Sequence, residues 1–323
     1  MDSASSDRER FRTGIDPQDV AASSEAVPYN AASFRQIRVQ DTWSRYGDRL
    51  TWGRGQCLAI LDDGCDLNAP AWRVHLPWGP KVIAAHNSID GNDDPTPVLP
   101  GYHGTSVGYP SSLNLDGVRG IAYNNFVAHV RCVSVVHIRG QEEATTIASG
   151  LRWVLENHRR LNITAVNLSP LDDESHAEPI PTEIDGVLAE LRTADVWVSA
   201  PCGNHDFAEG VSWPACQPGC FGIGSTVPGE HKVYLDRGPG TDLLVTAAAT
   251  SSSNAFAVAG SMILREAIEK TGFDWRRFGP TLPDAILAVF RQTGRPIADP
   301  GSGREFLEMD LLSAVETVYG AVE

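Results

Sequence analysis

Four stretches of this sequence end apolar runs or open helical patterns with side chains that can do chemistry. Leu58–Leu61 runs into Asp62-Asp63-Gly64, and Tyr102-His103-Gly104-Thr105 puts an imidazole at the start of a helical pattern. Ser199–Cys202 runs into Gly203-Asn204, and Leu243–Ala249 runs into Thr250-Ser251-Ser252-Ser253, where a helical pattern begins that reaches about Lys270. A carboxylate, an imidazole, a hydroxyl and a carboxamide are the parts of an acyl-transfer site: a group that orients the base, the base, the nucleophile and a donor for the oxyanion. A hydroxyl at a helix mouth can cap the first free N–H groups and stands in the positive field of the helix start. Taken singly, each stretch also has a plain structural reading: a serine-rich cap, a surface histidine, a turn aspartate, a turn asparagine after glycine. Periodicity does not choose among Ser251, Ser252 and Ser253. Asp62 and Asp63 share one strand end, and strand alternation lets only one of them meet His103.

Asp, then His, then Ser is the chain order of subtilisin. With all four blocks in order from about Asp41 to Val322, the chain resembles the subtilisin-like serine proteases. The family pattern Gly-Thr-Ser-Met-Ala-x-Pro-x-Val-Ala-Gly, laid back from Val258-Ala259-Gly260, puts the reactive serine on Ser252. The resemblance implies that His103, in an intact His-Gly-Thr, is the general base. It selects Asp62 over Asp63 through Asp-(Thr/Asp/Ser)-Gly, and makes Asn204 the oxyanion donor. Thr250 replaces the pattern's first glycine, Ser253 its methionine and Phe256 its proline. Tyr109-Pro110 replaces small residues after His103, so a shortened or kinked helix and a tilted imidazole are expected there.

The resemblance also implies where a peptide binds. Val166–Ser169 is similar to the family strand that pairs with substrate backbone, so Leu168 and Ser169 are expected to bind it by β-augmentation. Pro170 removes a donor at that edge. Ser199, Ala200 and Gly203 are expected to wall the first specificity pocket. Asp206 and Glu209 follow closely, and they are expected as solvent-exposed loop charges rather than an acidic pocket floor.

The elements that must hold these residues read as an α/β protein. Cys57–Leu61, Lys81–Ala85, Phe126–Val136, Thr164–Leu168, Val196–Ala200 and Cys220–Ile223 are unbroken apolar runs, as buried parallel strands are. Helical patterns over Glu142–His158, Glu183–Thr193 and Ser252–Lys270 fall between them. Alternation of this kind predicts a mainly parallel central sheet covered by helices on both faces, the three-layer arrangement of the subtilisin-like fold, with sites at the carboxyl ends of strands. Residues 1–40 are polar and aperiodic and are expected as a flexible or loosely packed arm, with 41–323 as the peptidase domain. The tail Leu282–Val322 reads as two helical patterns around a Gly/Pro-rich loop, Gly294–Gly303.

Composition bounds the partners. A formal net charge of −15 with no basic cluster disfavours nucleic acid and anionic membranes. No apolar run reaches membrane-spanning length, and Met1–Arg10 lacks the hydrophobic core of a signal peptide, so a cytoplasmic setting is expected. Forty residues are too few for the folding pro-domain of secreted subtilases, which points to an intracellular or pathway-dedicated member. Six cysteines in 323 residues are no disulfide framework; Cys57 and Cys132 read as buried hydrophobes, and Cys216 and Cys220 could close a small loop under oxidation. No cofactor is required for this chemistry. The acidic loop Asp90-Gly-Asn-Asp93-Asp94-Pro95 could hold a structural calcium, although a simple turn is its default reading. The expected activity is peptide-bond hydrolysis of a peptide or protein substrate, with a dedicated precursor peptide as one candidate. The competing readings are a non-catalytic peptide-binding scaffold and an acyl-transfer variant using the same triad.

Overall fold

The apolar runs pair as the sequence predicts, and the computed structural model describes residues 26–98 and 103–321. Ten strands of the described residues form one sheet: β1 Cys57–Asp62, β2 Val82–Asn87, β3 Phe126–Arg131, β4 Ile163–Leu168, β5 Trp197–Pro201, β6 Phe221–Thr226, β7 Val233–Tyr234, β8 Leu243–Thr246, β9 Arg295–Asp299 and β10 Arg304–Glu308. Their order is β9-β10-β8-β6-β5-β4-β1-β3-β2, with β7 paired to β6. All neighbours are parallel except β6 with β7 and β9 with β10. The carboxyl ends of β1, β4 and β5 therefore lie side by side, and the segments that carry Asp62, Ser169 and Asn204 leave the sheet there.

Helices cover both faces: α1 Ala26–Gln36, α2 Val39–Tyr46, α3 His103–Ser106, α4 Tyr109–Ser112, α5 Ala144–Leu161, α6 Ile184–Thr193, α7 Thr250–Thr271, α8 Leu282–Thr293 and α9 Leu311–Gly320. α5 and α6 pack on one face around Ile147, Leu151, Val187 and Leu188. On the other face lie α1, α2, α7, α8 and α9 around Phe256, Val258, Met262, Phe290 and Val315. Every residue of α7 from Thr250 to Leu264 is buried, so this helix is central rather than a surface amphipath. It stops at Gly272, which takes the left-handed conformation (φ 70°) and whose N–H donates to Ile268 O at 3.0 Å.

Three expectations change. The run Phe126–Val136 is a strand only to Arg131, because its neighbour β1 ends at Asp62, the partner of Arg131, and leaves nothing beyond to pair with. The loop expected at Gly294–Gly303 instead contains strand β9 and the turn of the β9–β10 hairpin, with β10 laid against β8. Its strands sit at the sheet edge with only alternate residues buried, so no apolar run announces them. The boundary at residue 40 also moves. Phe34, Ile37 and Val39 are buried in the core, Ile37 O accepts from Leu311 N at 3.1 Å, and Gln36 Nε2 donates to Glu308 Oε1 at 2.5 Å. Residues 1–25 of the expected arm lie outside the described residues.

Phe34 explains the substitution at Phe256. The two rings pack edge to face at 5.4 Å, and Phe34 meets Trp43 in the same way at 5.8 Å. Phe34→Ala is expected to lower unfolding stability by about 3 kcal/mol, measured as a shift of the urea midpoint at constant m. An unchanged midpoint would mean that α1 is not packed on α7.

Candidate active site

Asp62 closes β1 and His103 opens α3, and the two side chains meet. His103 Nδ1 lies 2.9 Å from Asp62 Oδ1 and 2.8 Å from Oδ2, with side-chain exposures of 10% for the histidine and 2% for the aspartate. The close approach depends on Gly104, where a Cβ would fall 2.1 Å from Gly64 O and 2.8 Å from Asp62 Cβ. Thr105 fastens the same junction: its Oγ1 accepts from Asp66 N at 2.9 Å and its carbonyl from Trp72 Nε1 at 2.8 Å. Pro110 does break the helical run into two short helices, α3 and α4, as expected. Gly104 and Thr105 anchor α3 to the β1 turn ahead of the proline, and His103 keeps its contact with Asp62.

Burial alone would raise the Asp62 carboxyl, but the charge of His103, the hydrogen bonds from it and the Asp63 N–H at 2.7 Å outweigh burial and hold it below the usual carboxylate range. Asp63 is pushed the other way, first by burial and then by the charge of Asp62. Its Oδ1 accepts from Gly104 N at 2.9 Å, so Asp63 braces the helix start while Asp62 holds the imidazole.

The serine cluster sits in the first turn of α7, and its members differ. The expectation of serine capping fails: the N-cap is Ala249, extended at φ −143° and ψ 151°, with no side-chain cap. Ser253 Oγ donates to Val245 O at 2.7 Å and lies 2.9 Å from Ser225 Oγ, which ties it into the core. Ser252 Oγ is buried and has no hydrogen-bond partner among the described residues, so a bond to the imidazole is not made. Nucleophile–base bonds are commonly loose without substrate and tighten in the Michaelis complex. The Ser252 N–H is engaged with Ala249 O at 3.1 Å.

Asn204 reaches this turn from beyond β5. Its Oδ1 accepts from Thr250 N and from Thr250 Oγ1, both at 3.0 Å, while Thr250 Oγ1 also accepts from Gly203 N at 3.2 Å. Asn204 thus caps α7 from outside, and the threonine at the family's glycine position fixes which end of the carboxamide faces away. Nδ2 is thus the end turned away from Thr250. The sequence did not single out Asn254, which bolts α7 to the sheet: Nδ2 donates to Asn167 Oδ1 at 2.6 Å and to Ser199 O at 3.0 Å. Asn167 Nδ2 in turn donates to Ser169 Oγ at 2.8 Å, and Ser169 N to Leu61 O at 3.1 Å, linking the serine turn to the strand that carries Asp62.

The expected substrate residues divide. β4 is hydrogen-bonded to β1 on one side and β5 on the other, so Val166–Leu168 offers no edge for an added strand. Leu168 and Ala200 are fully buried toward α5 and α6, and Ser199 lies inside the sheet with Oγ taken by Trp197 Nε1 at 2.9 Å. The expectation of β-augmentation over Val166–Ser169 is corrected accordingly. Ser169 and Gly203 lie just beyond the strand ends; both are buried, and Ser169 Oγ accepts from Asn167 Nδ2 at 2.8 Å. Past them, Leu171 is already paired, its N–H to Val136 O and its carbonyl to Ile138 N, both at 3.0 Å. Asp206 pairs with Arg237, and Asp206 and Glu209 are exposed, as expected for loop charges.

Other candidate ligand groups serve local structure. In the acidic loop, Asp90 Oδ2 accepts from Asn87 Nδ2 at 2.9 Å and pairs with Arg131 at 3.5 Å, and Asp94 Oδ1 accepts from Thr96 N at 3.0 Å. Asp172, Glu174 and His176 form the one group of the described residues whose ligand atoms lie close enough to share a metal. Both Asp172 oxygens are already engaged, Oδ1 by Trp213 N at 3.0 Å and Oδ2 by His176 Nε2 at 2.7 Å and Gln141 Nε2 at 3.0 Å. All six cysteines are buried free thiols, Cys216 and Cys220 included.

No protein-family model matches the sequence. An "intracellular serine protease" of Paenibacillus polymyxa is 22% identical over 316 residues, covering 91% of this chain and 90% of that protein. "Subtilisin-like protease 3" of Arthroderma otae is 21% identical over 262 residues, which is 78% of this chain and 60% of that protein. Among solved structures, MycP1 with its N-terminal propeptide removed superposes with a TM-score of 0.64 at 15% identity, covering 88% of this chain and 97% of that one. The prenylagaramide maturation protease PagA gives 0.64 at 17% identity, over 87% and 98%. The fold is that of the subtilisin class, a mainly parallel sheet between two helical layers. More particularly, the chain is similar over nearly its whole length to the subtilisin-like serine proteases.

Proposed function

We propose that the chain is a serine endopeptidase working through an acyl-enzyme. Ser252 Oγ attacks the scissile carbonyl carbon while His103 Nε2 takes its proton. Asp62 holds the imidazole by Nδ1 and stabilises the imidazolium, and Asn204 Nδ2 donates to the oxyanion. Collapse breaks the C–N bond as His103 returns the proton to the leaving amine, and water then repeats the sequence on the ester. The observation that carries this reading is the contact of the buried Asp62 with His103, both carboxylate oxygens within 2.9 Å of one ring nitrogen. The Ser252 N–H is engaged in its own turn, so Asn204 supplies the oxyanion donor. Asn204→Ala is expected to lower kcat about 10²–10³-fold with KM little changed, read from steady-state kinetics. A rise in KM alone would remove Asn204 from that role.

The direct test is labelling by a fluorophosphonate, which reacts with a serine activated by its base. Labelling is expected in the native chain and lost in Ser252→Ala and in His103→Ala; labelling retained in Ser252→Ala would move the nucleophile to Ser251 or Ser253. One observation favours a peptide-binding module instead: Ser252 Oγ is buried and without a hydrogen-bond partner among the described residues. Failure of the native chain to label would favour that reading.

The proposed reaction uses no cofactor, and acyl transfer to an amine would use the same groups. We place it inside the cell, acting on a dedicated precursor peptide. The intracellular serine protease of P. polymyxa and the maturation protease PagA, to which the chain is similar, support this. No helix of the described residues is long and apolar enough to cross a membrane. Comparing the proteomes of cells with and without the gene tests the precursor: one uncleaved precursor supports it, and a general change in turnover overturns it.

A further inference from the structure

A carboxylate that the sequence did not single out stands beside Asn204. Asp236 follows β7, and its N–H donates to Gly203 O at 3.2 Å. Its side chain has 0% exposure. Oδ1 is cradled by the N–H groups of His205 at 2.8 Å and Phe207 at 2.9 Å, whereas Oδ2 is buried with no hydrogen-bond partner among the described residues. A Cβ added to Gly203 (φ 115°) would fall 2.1 Å from this Oδ2 and 2.6 Å from Ser212 Oγ. Oδ2 therefore fills the place against residue 203 where a side chain would stand, with a hydroxyl beside it. Gly203 adjoins the proposed oxyanion donor and shares Thr250 Oγ1 with it.

The charge here is not neutralised by a lysine or arginine among the described residues. Arg237, next in sequence, pairs with Asp299 and Asp206 instead. His205 Nδ1 lies 3.9 Å from Asp236 Oδ2 and 3.6 Å from Asp173 Oδ1, a second buried carboxylate oxygen without a hydrogen bond. A buried carboxylate oxygen that meets no donor is costly unless a cation reaches it. On the proposed roles of Ser252 and Asn204, a substrate whose carbonyl is attacked by one and held by the other runs its side chain along the wall next to Asn204. That wall is Gly203 with Asp236 behind it.

We propose that Asp236, with Ser212 beside it, selects lysine or arginine as the residue whose carbonyl is attacked, an assignment that rests on Ser252 being the nucleophile. The same chemistry operates in trypsin, where an aspartate in the specificity pocket sets the preference for basic side chains. Hydrogen-bonding sites reject analogues that leave their buried polar groups unpaired, which makes the expected discrimination large.

The test uses the purified full chain and fluorogenic tetrapeptides that differ only in the residue before the cleaved bond. Lysine and arginine are expected to exceed leucine and phenylalanine in kcat/KM by about 10²-fold or more, with glutamate the poorest. Asp236→Asn keeps an acceptor for the His205 and Phe207 N–H groups, and should lower the lysine-to-leucine ratio about 10²-fold. Burial raises the Asp236 carboxyl to about 6 against the opposing hydrogen bonds from Phe207 and His205. The carboxylate is charged above that value, so the ratio should be full in mildly alkaline buffer and fall as pH drops through about 6. His205 and Asp173 face the same carboxylate, while titration of His103 cancels in the ratio. A native preference for leucine, phenylalanine or glutamate overturns the proposal, and so does an unchanged ratio in Asp236→Asn. Labelling of Ser252 by a fluorophosphonate, which carries no such side chain, keeps that failure distinct from failure of the nucleophile. Absence of both labelling and cleavage would overturn the two together.

Discussion

Ser252→Ala is expected to lower kcat by about 10⁶-fold with the fold intact, the scale of loss on removing the nucleophile of subtilisin. In the proposed mechanism the hydroxyl is the atom that becomes covalently bonded, so its loss leaves only binding and the oxyanion donor, together worth about 10³–10⁴ over water. His103→Ala should cost about as much, and the double variant little more, because nucleophile and base act as one unit. Ser251→Ala and Ser253→Ala separate chemistry from structure. Ser253 Oγ bonds Val245 O and Ser225 Oγ, so its loss should appear as a lower melting temperature rather than a lost chemical step. The idea fails if Ser252→Ala cleaves a peptide at the native rate.

Asp62→Asn should lower kcat by about 10⁴-fold, whereas Asp63→Asn should lower it far less. Both carboxylates leave the same strand end, but only Asp62 touches the imidazole; Asp63 accepts from Gly104 N, a bond that an asparagine oxygen can also accept. An amide at position 62 can present its NH₂ to Nδ1, which favours the tautomer with the proton on Nε2, where the base must accept one. The carboxylate also offsets the charge of the imidazolium. Asp62 is held ionised although burial works against it, so the stabilisation is present above the ordinary aspartate range and is lost as pH falls below it. Measuring kcat/KM against pH for both variants decides the assignment. Equal losses in the two would make the pair act as one group.

Much of this site is written locally. The run Leu58–Leu61 must be a buried strand because it has no polar face, and its acid stands where the strand ends. The same logic places Asn204 just past β5 and the serines after β8, and the parallel sheet that follows from strand–helix alternation gathers such ends on one edge. Helix α7 was legible from the helical pattern Ser252–Lys270, within two residues at its start and one at its end.

What the sequence leaves open are contacts between residues far apart along the chain. Which of two adjacent aspartates meets His103 depends on how α3 crosses the β1 turn, a matter of Gly104 backing onto Gly64 O. The departures at Thr250 and Phe256 look damaging in isolation, because local pattern cannot show that one turns Asn204 and the other packs on Phe34. Residues 33–40 read as a polar arm because three buried side chains, Phe34, Ile37 and Val39, are too few to set a period. Asp236 gives no signal at all: an aspartate between Leu235 and Arg237 reads as surface charge. Only the left-handed approach of Gly203, over thirty residues away in sequence, brings its unpaired oxygen to the wall beside Asn204. The cores of the buried strands and of α7 follow from short-range periodicity, which the sequence by itself determines, whereas the end of β3 and the β9–β10 hairpin follow from pairing with neighbours. Charge placed by long-range packing does not follow from periodicity either, and only the tertiary structure decides it.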